Sequence, residues 1–335
     1  MIYVPFLVMK QNETQLISYA KTALSHPNII PCFVLTRGPD EAHYLLAALL
    51  RESGFERRSC FVTIPHEATV TEKGSPSRAW LNEANQGPEE YFIAMKNLAE
   101  RDLHIIPVYQ LNNQDDVPFA LRFCSELAAR NRRVGIYFAA LGKVKLPDIK
   151  ELKPDYLFVN IKQNDFVAAK MMLEHYVQVF GKLVYPVREN REANTTNKSL
   201  ESEEGFCAML KTDLHEEMKN EKAFPGFGDF CLLKNDLNER GGNGAQDIQL
   251  FAAVYDRGTR PPAIHCLHSC SKGEGERGED LSRQIENQLQ NMDPLGCADT
   301  LAFLREKKPK NQARFHVLTA FHYLNQMARF DDWKE

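Results

Sequence analysis

The chain has little of what would place it quickly. It carries almost no net charge: 41 Lys and Arg oppose 45 Asp and Glu, a formal −4 over 335 residues. Such a balance gives no global electrostatic footprint for nucleic acid or an anionic membrane, and leaves open only a local basic patch. No run approaches the roughly 18 apolar residues that span a bilayer. The opening MIYVPFLVMKQNE is apolar only briefly, contains Pro5, and lacks both a basic leader and a small-residue cleavage site. It reads as a first strand rather than a signal peptide, so a cytoplasmic protein without membrane contact is expected. No GxGxxG or GxxxxGK[ST] follows an early strand, which argues against a standard dinucleotide or P-loop site. HExxH and GxSxG are missing as well, and no internal repeat or long low-complexity stretch stands out.

What is present is a cadence. Short β-branched and aromatic runs fall at 2–9, 29–36, 59–64, 103–110, 133–140, 155–161 and 182–187. Helical patterns separate most of them, at 13–24, 40–53, 88–101, 119–131 and 165–180. Near-continuous apolar strands between amphipathic helices imply a parallel sheet covered by helices. Seven such strands predict an α/β fold, a (β/α)8 TIM-like barrel forming a single domain over 1–335; a doubly wound open sheet is the alternative. Asp40 fits a helix cap, and Gly54 and Gly181 fall at helix stops.

The pattern changes past 188. Residues 188–310 read as an elaborated region with a polar insert, paired strands and helices. IQLFAAVYD and AIHCLHSC, joined by RGTRPP, predict a C-terminal β-hairpin. Strand eight should come from GFGDFCLLK or one of this pair, with the others as an antiparallel flap over the barrel. Helices are expected at 279–292 and 313–330, the latter with Val317, Leu318, Phe321, Leu324 and Met327 as one docking stripe. Residues 65–87 and 271–280 read as mobile loops.

In a barrel the strand ends converge on one mouth, where function usually lies. Lys10, Arg37, His66, Asn112, Asn160, Lys162 and Arg188 end or follow strands one, two, three, four, six and seven. A mouth rich in cations suits an anion, such as a phosphate or a nucleic-acid terminus. Lys10, Arg37, Asn160, Lys162 and Arg188 are therefore candidate ligand-binding residues. Asp229, in GFGDF, is the candidate catalytic base, and Gly226 and Gly228 before it suit a bulge or a close backbone approach. Eight cysteines lie scattered in apolar segments and read as buried thiols. AIHCLHSC is the most metal-like string, but no second ligand pair accompanies it, so no structural zinc and no cofactor are expected.

Several segments resemble the beta-protein family of bacterial and phage proteins. YVPFLVMKQNETQLI, with Lys10 and Glu13, is similar to the family's opening strand. IIPCFVL resembles its second strand, with Val34 and Leu35 where an acid is usual. GFGDF, GGNGAQDIQLFAAVYD with IHCLHSC, VRENREAN and the His322 segment FHYL match its later motifs. The resemblance implies an association with phage-host conflict and phage defence, but no reaction. Two functions follow. One is a barrel-scaffold binding or effector subunit whose C-terminal third meets a protein partner. The other is an enzyme or sensor holding a phosphorylated small molecule or a nucleic-acid end at the mouth, with Asp229 as base or metal ligand.

Overall fold

A computed structural model describes residues 1–9, 14–36, 59–66, 76–101, 104–139, 144–162, 164, 166–189, 206–210, 214–218, 220–233, 250–259, 262–269 and 274–330. Eight parallel strands close into a barrel in the order β1, β2, β3, β4, β5, β6, β7, β9. They are β1 (Ile2–Met9), β2 (Cys32–Leu35), β3 (Cys60–Thr63), β4 (Ile105–Leu111), β5 (Gly135–Phe138), β6 (Tyr156–Lys162), β7 (Val184–Arg188) and β9 (Gly226–Asp229). The intervening β8 (Phe206–Leu210) leaves the barrel and joins β11 (Ala263–Ser269) and β10 (Leu250–Asp256) in an antiparallel sheet. GFGDF thus supplies strand eight, and the expected hairpin is the β10–β11 pair, with Asp256 opposite Ala263.

The barrel buries both faces of its strands, so alternation assigns each residue to a side. Val4, Phe6, Val8, Cys32, Val34, Phe61, Ile106, Val108, Tyr137, Phe158, Tyr185, Val187 and Phe230 fill the lumen. Aromatic rings plug it: Phe6 lies 5.4 Å from Tyr137, 5.5 Å from Phe158 and 5.4 Å from Phe230. The opposite set, including Tyr3, Leu7, Phe33, Val62, Tyr109, Ile136, Val159, Val184 and Phe227, packs under the surrounding layer.

Closure depends on two glycines. A β-carbon on Gly226 would stand 2.0 Å from the Ile2 carbonyl oxygen, and one on Gly228 would stand 2.8 Å from that of Val4. Strand β9 approaches β1 that closely only because both positions lack a side chain.

The covering helices are α1 (Thr14–Tyr19), α2 (Lys21–Leu24), α3 (Pro76–Ala84), α4 (Pro88–Arg101), α5 (Val117–Ala128), α6 (Leu146–Ile149), α7 (Phe166–Phe180), α8 (Leu214–Met218), α9 (Glu274–Leu289), α10 (Cys297–Lys307) and α11 (Gln312–Met327). Gly181 ends α7 at φ +65°, as its position in sequence suggests. Asp40 and Gly54 lie outside the described residues.

Three expectations are corrected. Helix α3 occupies the second half of the 65–87 loop. Helix α9 begins at Glu274, inside the stretch expected to be mobile. Its Leu281, Ile285 and Leu289 are buried, and Gly278 lets it pass against the backbone of Pro309 and Lys310. The terminal helix α11 docks by far more than one stripe, since every residue from Val317 to Met327 is buried. It lies against β10, α1, α2 and α10.

Cys32, Cys60, Cys124, Cys231, Cys266 and Cys297 are buried free thiols. Among the described residues no helix is long and apolar enough to cross a membrane.

Candidate functional site: the carboxyl-terminal mouth of the barrel

The rim between β3 and β7 is built from amides, hydroxyls and one carboxylate. The lumen-facing alternation of β4 runs through Ile106 and Val108 to Gln110 and then Asn112. On β5 it reaches Tyr137, on β6 it reaches Asn160 after Phe158, and after Val187 on β7 it reaches Glu189.

A register shift between Asn160 and Lys162 breaks the β6–β7 pairing, and Lys162 takes a left-handed φ of 58°. Such a bulge re-aims side chains and recurs beside functional sites. Here the Lys162 amide donates to Asn160 Oδ1 at 2.8 Å, and Asn160 Nδ2 donates to Glu189 Oε1 at 3.0 Å. Lys162 Nζ stands 3.6 Å from the same carboxylate oxygen. The bulge thus gathers an amide, an ammonium and a carboxylate at one corner.

Beside that corner two polar atoms are buried without a hydrogen bond of normal geometry: Tyr137 Oη and Asn112 Oδ1. Burial, then the Glu189 charge, pushes the Tyr137 phenol far above its ordinary range, with Asn160 acting in the opposite sense. It stays a neutral donor. Most buried polar atoms in proteins are satisfied, so these two, on β5 and just after β4 at the barrel mouth, are open to a further hydrogen bond.

The rim is braced from behind. Gln110 Nε2 donates to Thr63 Oγ1 at 3.3 Å, and its Oε1 accepts from the His66 amide at 3.1 Å. The His66 ring stacks on Tyr91 with centroids 4.0 Å apart. Asp116, wholly buried, accepts from the amides of Asn112 at 2.9 Å and Asn113 at 3.1 Å. Burial raises the Asp116 carboxyl, but the hydrogen bonds from His66, Asn112 and Asn113 and the His66 charge together hold it below the usual range.

The sequence-derived residues divide. Asn160 and Lys162 come together at the bulge. Lys10 and Arg37 lie outside the described residues. Arg188 follows Val187 and so points away from the lumen, where Nη1 donates to Glu217 Oε1 on α8 at 2.9 Å. It ties the barrel wall to its helical layer.

Asp229 shares the outward parity of Phe227. Its Oδ1 accepts from Tyr3 Oη at 2.6 Å and from the Cys231 amide at 2.9 Å, and its Oδ2 accepts from Tyr323 Oη on α11 at 2.7 Å. It lies wholly buried between the barrel wall and the terminal helix, and the mouth does not receive it. These three donors satisfy both carboxylate oxygens within the wall. Geometry therefore separates Asp229 and Arg188 from Asn160 and Lys162.

Of the metal-like string, Cys266 is buried on β11, His265 Nε2 stands 3.6 Å from Asp256 Oδ2, and Cys270 lies outside the described residues. Among the described residues no group of three or more His, Cys, Asp or Glu could hold a metal ion.

Gln110, Tyr137, Glu189, Asn85 and Asp116 are absent from the sequence-derived set. For Gln110 and Tyr137 the available signal was a polar side chain near the end of a strand. Glu189 was adjacent to a residue already singled out. Comparison with protein-family models, with curated proteins and with solved structures finds no match to this chain.

Proposed function

We propose that the chain is a ligand-binding (β/α)8 barrel whose carboxyl-terminal mouth takes a small, hydrogen-bonding molecule on the β4–β7 rim. The observation that carries this reading is the buried pair Tyr137 Oη and Asn112 Oδ1, neither with a hydrogen bond of normal geometry among the described residues, next to the Asn160–Lys162 bulge. A phenol donor, an amide acceptor and the Asn160–Glu189–Lys162 corner suit a molecule that both donates and accepts. Hydroxyl, amide or amine groups match them better than a bare anion, which the Glu189 carboxylate repels. Of the cations expected to clamp a phosphate, Arg188 is engaged by Glu217 on the outer wall. Of the rest of that set, Lys162 stands at the mouth 3.6 Å from Glu189 Oε1, and Lys10 and Arg37 lie outside the described residues.

The scaffold reading calls for an exposed apolar patch on the C-terminal third. Among the described residues the exposed large apolar side chains are Met1, Ile93, Val167, Met171, Met172 and Val179, all earlier in the chain. That distribution favours the mouth. The link to phage-host conflict stands on the sequence resemblance.

The test is native mass spectrometry of protein purified from its own host. The wild type should retain a small molecule that Tyr137→Phe and Glu189→Gln release, with the fold intact. Bare protein in the wild type, or a retained mass indifferent to both substitutions, would overturn the reading.

A further inference from the structure

We infer that His66 is held as an imidazolium and that its ring proton latches the segment ending β3, at His66, to the segment that follows β4, at Asn112–Asp116, so that the mouth loosens when that proton is lost. The inference rests on the mouth being the ligand site, and concerns how that site is held.

Both ring nitrogens face acceptors. Nε2 lies 2.9 Å from Asp116 Oδ1, and Nδ1 lies 3.0 Å from Asn85 Oδ1. The orientation of the Asn85 amide is set independently. Its Nδ2 donates to two main-chain carbonyls, Pro65 at 3.0 Å and Leu81 at 2.8 Å. A flipped amide would set its oxygen against both carbonyls. Asn85 therefore presents an acceptor to Nδ1, while Asp116, which also accepts two amides, presents an acceptor to Nε2. A neutral imidazole has one N–H and one lone pair, so it would confront one of these oxygens with a lone pair. Only the doubly protonated ring satisfies both.

The surroundings agree. The ring lies nearly parallel to that of Tyr91, at 9°, and an aromatic face attracts a cation. The His66 side chain is 5% exposed, so water does not readily replace a lost contact. From the elements packed against it, Asp116 is the charged group that faces it among the described residues. Tyr91, on α4, has its phenol pushed far up by burial and stays neutral, donating to the Ile64 carbonyl at 2.7 Å. Asn85, after α3, and Gln110, on β4, are neutral.

The latch joins pieces of the rim. The His66 main-chain amide holds Gln110, and Asp116 holds the amides of Asn112 and Asn113. Its sign is fixed by chemistry. The contribution of His66 is present while the ring is doubly protonated and is lost as pH rises through its titration. That of Asp116, whose carboxyl is held low, is present above the ordinary aspartate range and is lost as pH falls. The loop after β4 should be tightest between these limits.

The test needs no ligand. Nitrogen-15 NMR of the full chain, with the ring assigned through His66→Gln, should show both ring nitrogens protonated at pH 7. Amide exchange at Asn112 and Asn113, corrected for its intrinsic pH dependence, should accelerate as the ring loses its proton. Asp116→Asn should lower the pH at which His66 titrates by about one unit or more. Asn85→Asp, which adds a second carboxylate, should raise it and provides a reading if Asp116→Asn does not fold. A ring with one protonated nitrogen at pH 7, or exchange at Asn112 and Asn113 indifferent to the ring's titration, would overturn the latch. If the latch behaves as expected and native mass spectrometry still finds a bare mouth, the ligand reading fails while the latch stands.

Discussion

At the scale of single residues, function and architecture separate by side-chain parity. Asn160 and Asp229 are both buried polar residues on barrel strands, yet one faces the lumen and the other the terminal helix. Sequence could not separate them. In a parallel barrel both faces of a strand are apolar, so the pattern around Asp229 and Arg188 carries no signal for which face is which. The β6 bulge shifts the parity again at Lys162. Asn160 and Lys162 were legible because polar residues ending a hydrophobic strand are unusual, whereas Asn85 and Asp116 lie in connecting segments that composition does not single out. Asp229→Asn replaces one carboxylate oxygen with an N–H facing a hydroxyl or an amide that donates to it. It should destabilise the fold by roughly 2–4 kcal/mol, measured by urea denaturation, because a buried donor loses its acceptor. A change under about 0.5 kcal/mol, the usual scale of a surface substitution, would refute that role.

Among the elements, the long periodic ones were legible and the polar ones were not. Helix α4 falls at 88–101, as its periodicity predicts, and α11 starts one residue before its expected start and stops three before its expected end. Helix α9 was expected from 279, and only its glycine- and charge-rich start was obscured; a tertiary contact holds it, Asp280 accepting from Ser269 Oγ on β11 at 2.8 Å. Helix α11 also carries a buried titratable group. His322 Nε2 lies 3.2 Å from the Tyr255 carbonyl oxygen, and Nδ1 lies 2.7 Å from Thr300 Oγ1. Burial lowers its pKa to about 4 against an ordinary 6.5. The unfolded chain therefore takes up a proton first as pH falls, and stability is lost between pH 6.5 and 4. At about 1.4 kcal/mol per unit the loss attributable to His322 approaches about 3 kcal/mol. His322→Gln should flatten that part of the stability–pH curve, and an unchanged slope would show that the ring is not the group responsible.

For the whole molecule, the strand–helix cadence announced a parallel sheet covered by helices and favoured a barrel over an open sheet, but periodicity does not count closure, which the strand order shows. Which segment closed it was not legible. GFGDF is short, and its fitness for that place lies in two absent side chains. Gly226→Ala would drive a methyl into the Ile2 carbonyl, so closure should suffer by roughly 3 kcal/mol or more in chemical denaturation. A tolerated alanine would mean that β1 and β9 do not meet that closely. The central claim, that the mouth between β4 and β7 holds a small hydrogen-bonding molecule, is tested most directly by a crystallographic fragment screen of the full chain. Fragments bearing hydroxyl, amide or amine groups should collect at Asn112 Oδ1, Tyr137 Oη and the Asn160–Glu189–Lys162 corner. Fragments bound repeatedly elsewhere, with that rim left to solvent or closed over by its own side chains, would contradict it.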